Sequence, residues 1–175
     1  NNLTIKFNNI HDIGSSRGSG NVYAVRYLVG NAVTISNISI TDNCINNVFN
    51  STPSALGNSA GIWFGQSTST GIINNLIIDR NIITNIYAGL AGKAASGIDV
   101  GTAWNNITGK VNNLKIRYNT ISGISGGQGY GIQLDGKTPG AEISNNTISN
   151  VVSPFNAAFA VGVLVPNTNT GSALP

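Results

Sequence analysis

Five stretches of the chain carry one pattern of apolar and polar residues. Set Leu3, Ile38, Leu76, Leu114 and Ala141 as position zero; position +2 is then Ile5, Ile40, Ile78, Ile116 and Ile143. Position +5 is Asn8, Asn43, Asn81, Asn119 and Asn146, and position +7 is Ile10, Ile45, Ile83, Ile121 and Ile148. Position +10 is Ile13, Val48, Ile86, Ile124 and Val151. The copies are 35, 38, 38 and 27 residues apart. A fixed pattern at such spacings is the mark of a stacked repeat, in which each unit buries its apolar edge only by lying against the next.

A second motif recurs between the copies: AVRY (24–27), GIWF (61–64), GIDV (97–100), GIQL (131–134) and GVLV (162–165). Its second and fourth residues are apolar or aromatic, and its third is free to vary. That alternation is a strand with two residues facing in and one facing out. A third signal, Ile35, Ile73 and Val111, stands three residues before position zero. Each repeat thus supplies a G-I-x-V strand, an L-x-I strand and an N-x-I-x-x-I strand. The variable length falls in connections such as GQSTSTG, STPSALGNSAG and SGGQGYG, which have loop composition.

Two solenoids carry such a pattern. V-x-x-L-x-I-x-x-N-x-I-x-x-I is also close to the leucine-rich repeat signature. Here, however, the apolar choice is Ile, most spacings exceed the leucine-rich range of about 20–29 residues, and the return segment has no helical period. A left-handed hexapeptide helix demands nearly constant coil length. A right-handed parallel β-helix, with three strands per coil and loops of free length, fits best. The reading is an all-β solenoid of about five coils in a single domain over 1–175. Asn tolerates left-handed backbone, so the Asn at +5 is expected at a sharp turn between the second and third strands. Stacked coils would place Asn8, Asn43, Asn81, Asn119 and Asn146 in a structural ladder whose amides bond from coil to coil.

These repeats resemble the right-handed parallel β-helix of the pectate-lyase-like superfamily, which includes pectate lyases, polygalacturonases and phage tailspikes. The resemblance implies the fold and an outward first-strand face as the place for a polysaccharide. It does not carry the family's catalytic motifs. The polygalacturonase elements N-T-D, D-D, G-H-G and R-I-K are absent, since Lys115-Ile116-Arg117 is not R-I-K, and no acid cluster suited to calcium is present.

Charge narrows the classes further. The chain has 9 Lys and Arg against 6 Asp and Glu, spread without a basic cluster, so nucleic acid is not an expected partner. Cys44 is the single Cys, which excludes an internal disulfide. The longest apolar run, Ala157 to Val165, is too short to span a bilayer. No metal-ligand spacing or phosphate loop is found, and no cofactor is expected. Sequons at Asn2, Asn37, Asn50, Asn106 and Asn145 weakly favour an exported protein. The chain starts inside a repeat without an initiator Met, so a segment of a longer protein is expected. Uncapped coils at Asn2-Leu3 and at AVGVLVP, where Leu164 points outward, predict cover by flanking domains, other subunits or the 166–175 tail.

Because coils stack about 4.8 Å apart, equal positions become neighbours. Asp42 is expected beside Arg80, Asp79 beside Arg117, and Lys115 beside Glu142, as surface pairs. His11 and Asp12 read as an exposed polar edge, and the only His has no triad to join. The remaining acids draw attention to the first-strand face. Asp99 points outward between Trp63 and Gln133, Arg26 lies beyond Trp63, Asp135 follows the Gln133 strand, Trp104 follows the Asp99 strand, and Tyr23 and Tyr130 precede two strands. Aromatic surfaces with acid, amide and guanidinium groups suit a sugar chain. The expected carbohydrate-binding residues are Trp63, Asp99, Trp104, Tyr130 and Gln133, with Asp99, Asp135 and Arg26 as weak catalytic candidates.

The leading functional expectation is an extracellular, cell- or virion-surface scaffold or adhesin segment that binds glycan. The alternatives are a polysaccharide lyase or glycosidase, including a tailspike-like depolymerase, and a structural filament or cell-envelope subunit. Catalysis from this chain alone is not expected.

Overall fold

The computed structural model describes residues 2–15, 20–30, 32–50, 57–66, 71–101, 110–135, 138–155 and 159–165. Trp104, Asn106 and the 166–175 tail lie outside them. The described residues form β1 (Leu3–Lys6), β2 (Asn9–Ser15), β3 (Val22–Val29), β4 (Thr34–Thr41), β5 (Cys44–Asn50), β6 (Ser59–Gln66), β7 (Ile72–Asp79) and β8 (Ile82–Ala88). They continue with β9 (Ala94–Gly101), β10 (Lys110–Asn112), β11 (Lys115–Arg117), β12 (Thr120–Ser125), β13 (Gln128–Asp135), β14 (Glu142–Ser144), β15 (Thr147–Val152) and β16 (Phe159–Leu164). Every third element returns to the same sheet when β10 and β11 are counted as one interrupted strand. The order is β1-β4-β7-β11-β14 with β10 also on β7, then β2-β5-β8-β12-β15, then β3-β6-β9-β13-β16. All pairings are parallel, so the chain is a three-sided parallel β-solenoid.

The expected register holds along the repeat. Leu3 faces Ile38, Ile38 faces Leu76, and Ile116 lies between Ile78 and Ile143. The coil count is lower than the expected five or so. About three turns, β4–β5–β6, β7–β8–β9 and β10/β11–β12–β13, have neighbours on both sides. The first and last sets of strands pair on one side only. Their inward residues Ile5, Ile10, Ile143 and Ile148 stay partly exposed, whereas Ile40, Ile78 and Ile116 are fully buried. A recess of about 690 Å³ opens at the first-coil end over Ile5, Asn8, Ile10 and Val25.

The spacing of inward residues explains the bends. Positions −3, 0, +2, +5, +7 and +10 face in, at alternating steps of three and two. A strand alternates every two residues, so each step of three needs one extra residue turned aside. The structure places a left-handed residue in every such step. Asn37, Asn75, Asn113 and Gly140 take it at −1; Phe7, Asp42, Arg80, Tyr118 and Asn145 at +4; and Asp12, Asn47, Asn85, Gly123 and Asn150 at +9, with φ between 52° and 69°. This corrects one expectation. The Asn at +5 is not the left-handed residue; its predecessor is, and that turn aims the Asn side chain inward.

The G-I-x-V glycines also differ from their expected place at strand starts. Gly61, Gly97 and Gly131 are the third or fourth residues of longer strands. A Cβ at Gly97 would stand 2.5 Å from Ile121 Cγ2 and 2.6 Å from the Gly131 oxygen. Glycine is therefore demanded by close approach of the third strand and the next coil.

The inward Asn column is hydrogen-bonded throughout. Asn81 Nδ2 donates to Asn119 Oδ1 (3.0 Å), to the Ile40 oxygen (2.9 Å) and to the Asp79 oxygen (3.1 Å). Its own Oδ1 accepts from the Asn43 backbone N–H and Nδ2 at 3.1 and 3.0 Å. Asn8, Asn119 and Asn146 continue the same ladder. Outside, at −1, a second ladder runs from Asn113 to Asn75, Asn37 and Asn2.

The expected ion pairs form and join into one chain. Arg80 contacts Asp42 at 2.7 Å and Asp79 at 4.0 Å; Arg117 contacts Asp79 at 2.7 Å and Glu142 at 3.9 Å; Lys115 contacts Glu142 at 3.9 Å. His11 and Asp12 are an exposed pair, as the polar edge implied.

Candidate functional site

The sheet of β3, β6, β9, β13 and β16 carries the variable third residue of G-I-x-V on its outer face. Register places Arg26 against Trp63, Trp63 against Asp99, Asp99 against Gln133, and Gln133 against Leu164. The row follows the solenoid axis in the order read from the sequence.

Its first half is an aromatic platform. The Tyr23 and Trp63 rings stack at 5.1 Å with 23° between planes. The Arg26 guanidinium sits 5.6 Å from the Trp63 ring centre and 5.8 Å from that of Tyr23. A Cβ at Gly65 would collide with the Trp63 six-membered ring, so Gly65 leaves room for the indole to lie across the strand. Trp63 and Tyr23 remain partly exposed and Arg26 is exposed.

The second half is a polar cluster. Ser96 Oγ donates to Gln133 Oε1 at 3.2 Å, and Gln133 Nε2 donates to Asp135 Oδ2 at 2.9 Å. Asp135 lies opposite Gly101, where a Cβ would meet the Asp135 backbone oxygen. Tyr130 donates to Gln128 Oε1 at 3.1 Å and meets Phe159 edge-on at 5.8 Å. Gln133 is 4% exposed and Tyr130 3%, so neighbouring side chains on the face leave both little free contact area. Asp99 and Asp135 are partly exposed.

Burial drives the electrostatics. It holds the Asp99 carboxyl well above the usual carboxylate range, and the charge of Asp135 adds to the effect. Burial also raises Asp135, against the lowering effect of the Gln133 hydrogen bond. Burial and then the neighbouring acids push Tyr23 and Tyr130 up to about 12.

Asp99, Gln133, Tyr130 and Asp135 are thus brought together, with Trp63 one strand away. Arg26 is not part of the acid cluster; it lies two strands from Asp99. Trp104 lies outside the described residues. Sequence reasoning missed Ser96, Gln128 and Gly65. Gly65 had a signal, a glycine two residues after an outward Trp, whereas Ser96 looked like any loop serine before a strand. Among the described residues, no group of three or more His, Cys, Asp or Glu is placed to hold a metal ion.

No protein-family model matches the chain, and no curated protein or solved structure matches it either.

Proposed function

We propose that this chain is a β-helix scaffold of the pectate-lyase-like kind, displayed on a cell or virion surface, that holds a polysaccharide along its β3-β6-β9-β13 face. The observation that carries the reading is the axial row Arg26–Trp63–Asp99–Gln133 with the Tyr23–Trp63 platform at one end. Rings offer flat apolar area to sugar faces, and the partly exposed Asp99 and Asp135 offer hydrogen bonds to hydroxyls. Stacked strands advance about 4.8 Å each, close to the advance of an extended glycan per sugar. Flanking domains or other subunits would cover the open edges of the end layers, whose strands pair on one side only.

The test is binding of a polysaccharide panel by glycan array and calorimetry, with Trp63→Ala beside the parent. Loss of one stacking ring removes about 1 kcal/mol, a several-fold weaker Kd. Unchanged affinity, or no binding by the parent to any glycan, would remove the reading.

A second reading, a glycosidase, is favoured by one feature: two carboxyls on neighbouring strands, one held well above the usual carboxylate range by burial. Release of reducing ends that stops in Asp99→Asn would establish it.

A further inference from the structure

We infer that the Asp99–Asp135 pair is a pH-sensitive joint between β9 and β13, tight while the pair keeps a proton and loosened when both carboxyls are charged. Every other acid among the described residues has a base within reach: His11 for Asp12, Arg80 for Asp42, Arg117 for Asp79, and Lys115 and Arg117 for Glu142. Among the described residues Asp99 and Asp135 have none, and they lie on adjacent strands, with Gln133 opposite Asp99 and Gly101 opposite Asp135. Like charges so placed in a partly buried face repel, and no counter-charge among the described residues offsets either.

The described groups around the pair bring no counter-charge to it. Trp63 lies opposite Asp99 on β6, and beyond it on β3 stand Tyr23 and Arg26. Arg26, a cation that the described residues place on this face, is exposed and lies against the two aromatic rings. On β9 the neighbour is Ser96; on β13 they are Gln128, Tyr130 and Gln133; on β16 Leu164 and Phe159 face them. Tyr23 and Tyr130, held up at about 12, are neutral. Gln133 donates to Asp135 and so favours its charged form, which leaves the proton to Asp99.

The sign follows from linkage. The folded state keeps protons that the unfolded chain releases, so this face contributes most stability at acidic pH and loses it as pH rises through the raised values. Paired acids such as Asp42, lowered by Arg80, act in the opposite sense and at lower pH.

The experiment is thermal unfolding across pH in a His11→Asn background, which leaves no imidazole in the chain. Stability is read without any glycan, so it stands or falls apart from the binding proposal. As pH rises from about 4, where a free aspartate titrates, the melting temperature should fall by roughly 2–4 °C or more. Asp99→Asn, isosteric and neutral, should flatten the fall and melt higher at the alkaline end. As a second readout, protection of the Ile98 and Ile132 amides should drop with pH relative to Ile78 and Ile116. Parallel melting curves for parent and Asp99→Asn, or equal changes at all four amides, would overturn the inference.

Discussion

At the scale of single residues, the inward Asn ladder shows how a polar side chain earns a core position. Asn81 has no exposed surface, yet both its carbonyl and its amide are used, and its neighbours above and below depend on it. Asn81→Leu keeps volume but strands the Asn43 backbone N–H and the Ile40 and Asp79 oxygens. The expected cost is at least about 2 kcal/mol, read from urea unfolding. Asn8→Leu, at the exposed end of the same ladder, should cost under about 1 kcal/mol. Equal losses would mean that burial is not what gives the ladder its strength. The column itself was legible because five copies repeat a polar residue among isoleucines. Its geometry was not, because a residue tolerant of left-handed backbone was assumed to adopt it. The inward direction follows from the three-two spacing of buried positions, which counts +5 among them. Trp63 and Asp99 were legible as neighbours for the same reason, register. The burial of Gln133 and Tyr130 was not, since alternation along a strand says which face a side chain takes and nothing of what crowds that face.

At the scale of elements, the left-handed columns set the corners of the solenoid. Two of the three columns are filled by Asn, Asp or Gly, which adopt this conformation at low cost. The +4 column is not: Phe7, Arg80 and Tyr118 adopt it with φ of 58°, 54° and 55°. Tyr118 is 55% exposed, so little packing is lost on removing its side chain. Its backbone N–H still bonds the Ser144 oxygen at 3.2 Å. Tyr118→Gly should therefore relieve strain of about 1–2 kcal/mol, of which the freer unfolded chain takes back about 0.4–1 kcal/mol. The net gain lies between about 0 and about 1.6 kcal/mol. Asn145→Gly at the equivalent corner should be close to neutral. Equilibrium unfolding of the two variants decides it; a loss for Tyr118→Gly would mean that the ring stabilises the corner by contacts beyond its buried area.

At the scale of the whole molecule, each set of strands touches only its neighbours, so stability is a sum of coil terms and interface terms. The three inner turns have two interfaces each, and the end layers have one. Core burial follows the same gradient, from Ile40, Ile78 and Ile116 at 0% to the partly exposed Ile5 and Ile143. The ion-pair chain from Asp42 to Lys115 also spans the inner turns and reaches the last layer through Glu142, while among the described residues no ion pair links it to the first layer, where Lys6 adds only a longer-range attraction to Asp42. Local opening draws on the regions with fewest buried contacts. Hydrogen exchange should thus rank the β7, β8 and β9 amides slowest, the β14 and β15 amides faster, and the β1 and β2 amides fastest. Raising salt should narrow the gap between the last layer and the first, because the screened pairs are those holding the last. Uniform protection along the axis would mean that the solenoid opens as one cooperative block, and a fastest-exchanging centre would contradict the nearest-neighbour picture outright.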